Sequence, residues 1–73
     1  MITDEDIVYD ALRRYTAWRQ DFALQIHQPG AEKADGTLYT DEEKSLAIQL
    51  AKQCDRLTQY AKEKVESPII LMQ

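Results

Sequence analysis

The chain has 73 residues, 44% of them hydrophobic and 30% charged, and its nine Lys and Arg against thirteen Asp and Glu give a net charge of -4. These values suit one small soluble globular domain rather than a disordered segment. They lack the basic excess of proteins that grip nucleic acid by neutralising phosphates, and no apolar run approaches the roughly 18 residues of a membrane span.

The segment Ile2-Thr3-Asp4-Glu5-Asp6 starts the first predicted helix, about residues 3–28. Thr3 can accept from the orphan N–H groups of the first turn, the acids sit at the positive end of the helix dipole, and Ile2 and Ile7 have the spacing of a hydrophobic staple. Val8, Ala11, Tyr15, Trp18, Phe22 and Ile26 then recur at helical spacing, with Leu12 widening the stripe, and this is the expected core face. Pro29 and Gly30 end the helix. The connecting loop, 29–39, carries the Asp35-Gly36 turn signal and a short extended stretch at Leu38-Tyr39. Tyr39-Thr40-Asp41-Glu42-Glu43 repeats the opening pattern, with Thr40 and Glu43 spaced as a capping box, and starts a second helix over about 40–66. Its stripe is Ala47, Leu50, Cys54, Leu57, Ala61 and Val65, flanked by Leu46, Ala51 and Thr58. Ser67-Pro68 stops it, leaving a tail, 67–73, with the apolar run Ile69-Ile70-Leu71-Met72.

The predicted fold is all-α, an antiparallel two-helix hairpin with a short C-terminal apolar tail. One stripe per helix against a single neighbour buries too little surface to offset the ordering of two long helices. Homodimerisation into a four-helix bundle is therefore expected to complete the core, with the tail contributing. A single cysteine, Cys54, permits no internal disulfide, and the acidic opening is unlike a signal peptide, so a cytoplasmic location is expected.

Catalytic chemistry is hard to assemble from these residues. His27 is the only histidine and falls where it would cap the first helix, while Cys54 lies in an apolar stripe as a small hydrophobe. One His and one Cys cannot make a zinc site of the usual kind, neither glycine belongs to a phosphate-binding motif, and only Ser45 and Ser67 could serve as serine nucleophiles. No enzyme activity, cofactor or metal is expected. The residues expected to meet a partner are Arg13, Arg14, Trp18, Leu24, Tyr60 and, in the tail, Ile69, Ile70 and Leu71, because Trp, Tyr and Arg are enriched at interface hot spots. Arg13, Arg14 and Arg19 beside Tyr9, Tyr15 and Trp18 also offer stacking chemistry for a nucleotide or single strand, although Asp10 is spaced to pair with both Arg13 and Arg14.

Leu12-Arg13-Arg14, the Thr40-Asp41 helix start, Arg56-Leu57 and Pro68 resemble the small haemolysin-expression-modulator proteins of bacterial nucleoid regulation, all-helical chains of about this length. The loop from Gln28 to Thr37 departs from that pattern, and no functional residue is carried over. The expectation is a small non-catalytic interaction protein, of the kind phages and mobile elements encode as regulators or inhibitors. It would bind a protein and modulate its activity. A nucleotide or nucleic-acid binding regulator, and a structural subunit of a larger assembly, are the alternatives.

Overall fold

The computed structural model describes residues 1–65, which form two packed helices, α1 (Asp4–Ile26) and α2 (Asp41–Lys62). Both open on complete capping boxes. Thr3 Oγ1 accepts from the Asp6 N–H at 3.1 Å while Asp6 Oδ2 accepts from the Thr3 N–H at 3.0 Å. Thr40 Oγ1 and Glu43 Oε1 make the same exchange at 3.1 and 2.9 Å. The first box uses an aspartate at the position where glutamate is the commoner choice, and its carboxylate is only 1% exposed.

The helices run antiparallel as one layer, with molecular extents of 47 × 21 × 16 Å. Their seam is unlike the stripes the sequence suggests. On α1 the buried residues are Asp6, Tyr9, Thr16, Ala23 and Ile26, and on α2 they are Ala51, Cys54 and Thr58. Tyr9, Thr16 and Ala23 repeat every seventh residue, as do Ala51 and Thr58, which is coiled-coil spacing. Of the expected α1 stripe only Ile26 is buried, whereas Val8, Ala11, Tyr15 and Trp18 are exposed. On α2 Leu57 is exposed, and the flanking Ala51 and Thr58 take the buried positions. On α2 the physical reason is size: small side chains let two helices approach closely, whereas a row of Leu and Tyr would hold them apart, and on α1 the large Tyr9 and Ile26 are buried toward the two ends of the seam with Thr16 and Ala23 between them.

A polar pair lies in the middle of this seam. Thr58 Oγ1 donates to the Cys54 carbonyl at 2.8 Å, which uses its one proton, so Thr16 must be the donor in the 2.7 Å contact between the two hydroxyls. Both hydroxyls are thereby satisfied, and Thr16 is fixed opposite Thr58.

The helix ends are shorter than expected. α1 stops at Ile26 rather than 28, where His27 Nδ1 donates to the Ala23 carbonyl at 2.7 Å and caps the last turn. α2 stops at Lys62 rather than 66, because its last bonds tighten to i→i+3 spacing, Lys64 N–H to Ala61 and Val65 N–H to Lys62. The tail expected at 67–73, with Ile69, Ile70 and Leu71, lies outside the described residues.

The connection between the helices is folded. Asp35 Oδ1 accepts from the Thr37 backbone N–H at 3.0 Å and from its hydroxyl at 2.6 Å, and Gly36 adopts φ 86°, which favours glycine. Across this turn Lys33 N–H donates to the Thr37 carbonyl at 2.7 Å and Glu32 bridges antiparallel to Leu38. Two contacts fasten the turn to the helices. Lys33 Nζ lies 2.6 Å from Glu43 Oε2, and Tyr39 meets Phe22 edge to face at 5.9 Å. The hydrogen bond from Lys33 holds the Glu43 carboxyl below its ordinary range, the same bond holds the Lys33 ammonium above its own, and the Thr37 bonds lower Asp35.

Candidate interaction surface

The large apolar residues left out of the seam are not scattered. Successive helical residues advance by about 100°, so Val8, Tyr15 and Phe22 lie roughly a quarter-turn to one side of the α1 seam, with Ala11 and Trp18 farther round toward the outer face. On α2, Leu50 and Leu57 lie to one side of the seam in the same way, with Leu46 and Tyr60 beyond them. Antiparallel packing brings the two sets to the same side of the layer: Val8 and Leu12 share a groove of about 360 Å³ with Leu57, Tyr60 and Ala61. This aromatic side carries Trp18 at 56% exposure, Tyr60 at 59%, Leu46 at 55% and Leu57 at 50%.

Arg19 lies within it. Its guanidinium carbon is 4.4 Å from the Trp18 ring centroid and 5.2 Å from that of Tyr15, and its Nε donates to the Tyr15 hydroxyl at 2.9 Å. Tyr15 and Trp18 are themselves 5.9 Å apart, so the arginine packs against an aromatic pair, and its terminal Nη nitrogens have no hydrogen-bond partner among the described residues. Stacked guanidinium on indole is a favourable cation–π arrangement.

The opposite side is the more polar of the two, with charged residues around Asp10 and the apolar Leu24 and Ile48 toward the loop. Asp10 accepts from Arg14 Nε at 2.9 Å and from Arg13 Nη2 at 3.4 Å, and the Arg13 Nε is buried with no hydrogen-bond partner in the described part of the chain. Toward the loop, Leu24, His27, Ile48 and Lys52 line an open groove of about 1140 Å³.

The residues expected to form one partner site therefore divide. Trp18 and Tyr60 share the aromatic side, Arg13 and Leu24 lie on the polar side, and Arg14 is on the outer surface of α1 paired to Asp10. The arginine–aromatic cluster is rebuilt around Arg19, with Arg13 and Arg14 held elsewhere. Tyr15, Leu46 and Leu57 belong to the exposed surface although periodicity assigns two of them to the core. The signal was present on α2 as two adjacent rows, small Ala47, Ala51, Cys54, Thr58 and Ala61 beside large Leu46, Leu50, Leu57 and Tyr60, and on α1 only as the seven-residue spacing of Tyr9, Thr16 and Ala23.

Among the described residues no group of three or more His, Cys, Asp and Glu could hold a metal ion, and no helix is long and apolar enough to cross a membrane. Compared with known protein families, curated proteins and solved structures, the chain matches none.

Proposed function

We propose that this protein is a non-catalytic helical interaction protein that pairs through its aromatic side with a second copy, forming a four-helix bundle, and that the bundle binds another protein and modulates its activity. The observation that carries the reading is the separation of the seam, which has Ala, Cys and Thr along its middle and Tyr9 and Ile26 toward its ends, from the half-exposed Trp18, Leu46, Leu57 and Tyr60 outside it. With a large side chain offering ~150–250 Å², these residues with Val8 and Tyr15 leave on the order of 600 Å² of apolar surface on one side, the upper range for a monomer and near the ~800 Å² per partner of a stable interface. His27 and Cys54, the residues best suited to catalysis, are both engaged in the fold, as a cap and as part of the seam.

The alternative of a nucleotide or nucleic-acid ligand has less support: Arg13 and Arg14 are tied to Asp10, and the net charge of -4 lacks the basic excess that phosphate binding favours. Native mass spectrometry of protein purified without denaturation tests the reading. A species at twice 8.5 kDa that persists as salt is raised is the expected result. A monomer at tens of micromolar, or a nucleotide adduct lost steeply with salt, would overturn it.

A further inference from the structure

We infer how the second copy docks: α1 packs antiparallel on α1 of the copy about a two-fold axis at Leu12, and Glu5 of each chain pairs with Arg19 of the other. This rests on the self-association proposed above and adds its geometry. The row of α1 beside the seam runs Glu5, Val8, Leu12, Tyr15, Arg19 and Phe22, alternating steps of three and four, the pattern of a second helix-packing seam. Within it Glu5, Leu12 and Arg19 are spaced by sevens, so the acid and the base stand equally far on either side of Leu12. An isologous interface requires that residue i meet j while j meets i, and an antiparallel copy centred on Leu12 meets that condition with both ion pairs formed at once.

Two observations make these charges available. Glu5 lies on the aromatic side, in the groove with Val8, Leu12 and Leu57, and makes no ion pair among the described residues. Arg19 is oriented before any partner arrives, its Nε donating to the Tyr15 hydroxyl and its guanidinium carbon 4.4 Å from the Trp18 ring centroid, and its Nη nitrogens make no hydrogen bond among the described residues. A carboxylate meeting a preset guanidinium beside apolar surface gives an interface its alignment and suppresses wrong pairings. The ~21 Å from Glu5 to Arg19 along the helix separates the two reciprocal pairs, with Val8, Leu12 and Tyr15 between them.

The test is a charge exchange read by sedimentation equilibrium. Arg19→Glu alone sets Glu5 against the new acid of the copy, and Glu5→Arg alone sets two cations together. Each is expected to raise the dimer Kd roughly 30-fold or more. An equimolar mixture of the two variants contains complementary pairs at both positions and is expected to return to within about threefold of the original affinity. Failure of the mixture to recover, or unchanged dimers in both single variants, overturns the Leu12-centred geometry. If Leu57→Asp still dissociates the dimer in that case, self-association through the aromatic side survives. A monomeric original chain overturns both readings.

Discussion

The seam between the helices and the aromatic side beside it differ in the kind of side chain each uses. The seam is narrow, small and partly polar: Ala23 faces the helix bearing Ala51 and Cys54, and a threonine pair sits at its middle. The aromatic side carries the bulk of the apolar surface and stays half exposed. Close approach and register are supplied by the first, and most of the exposed apolar surface by the second. In a chain this small the residues that hold the hairpin in one alignment are thus distinct from those with the most hydrophobic energy to give.

The largest effect should come from breaking the aromatic side. Leu57→Asp is expected to raise the dimer Kd by roughly 30-fold or more, the loss of a hot-spot residue, whereas Leu24→Asp on the polar side should leave it within about twofold by the same comparison, both read by sedimentation equilibrium. Equal effects would erase the distinction between the sides. At the seam, Ala51→Leu should cost ~1–3 kcal/mol in thermal unfolding by forcing the helices apart. Thr58→Val should cost ~1–2 kcal/mol, because the Thr16 hydroxyl loses its acceptor. Replacing both threonines by valine should cost less than the single change, and an additive double variant would show that the pair does not interact.

The features legible in the sequence were those fixed by near neighbours. The Thr40–Glu43 box, the His27 cap and the Asp35-Gly36 turn each depend on residues within four positions, so spacing alone finds them. Both helices were equally legible from period. The seam was not, because hydrophobicity marks which residues avoid water without saying which neighbour removes them. Trp18 and Leu57 read as core, and Thr16 and Thr58 gave no sign that they would be buried as a pair. Nor did Asp6, whose acidic flanks suggest solvent. The site residues divided for the same reason: Arg13 and Trp18 are five apart in sequence and fall on opposite sides of the layer.

The smallest expected effect concerns the loop. Glu43 and Asp35 titrate below their ordinary range in the folded chain, so their contribution is fully present above the unfolded-state carboxylate values and is lost as pH falls through the depressed folded ones. Lys33 titrates above its ordinary value, and its contribution is lost as pH rises through that raised value. Lys33→Met should flatten the acid limb of stability against pH, with the Glu43 carboxyl returning toward its usual range in an NMR titration.

The turn that Lys33 secures also bears on how fast the chain can fold. Fourteen residues separate Ile26 from Asp41, a long connection for two helices that must find each other. Loop-closure entropy grows with the length of free chain, by ~0.6 kcal/mol per doubling. The Glu32–Leu38 bridge and the Asp35 turn form from residues six or fewer apart. They close first at little cost, remove the middle of the connection from the search, and bring Ala23 and Ala51 together by a shorter route than the chain length implies.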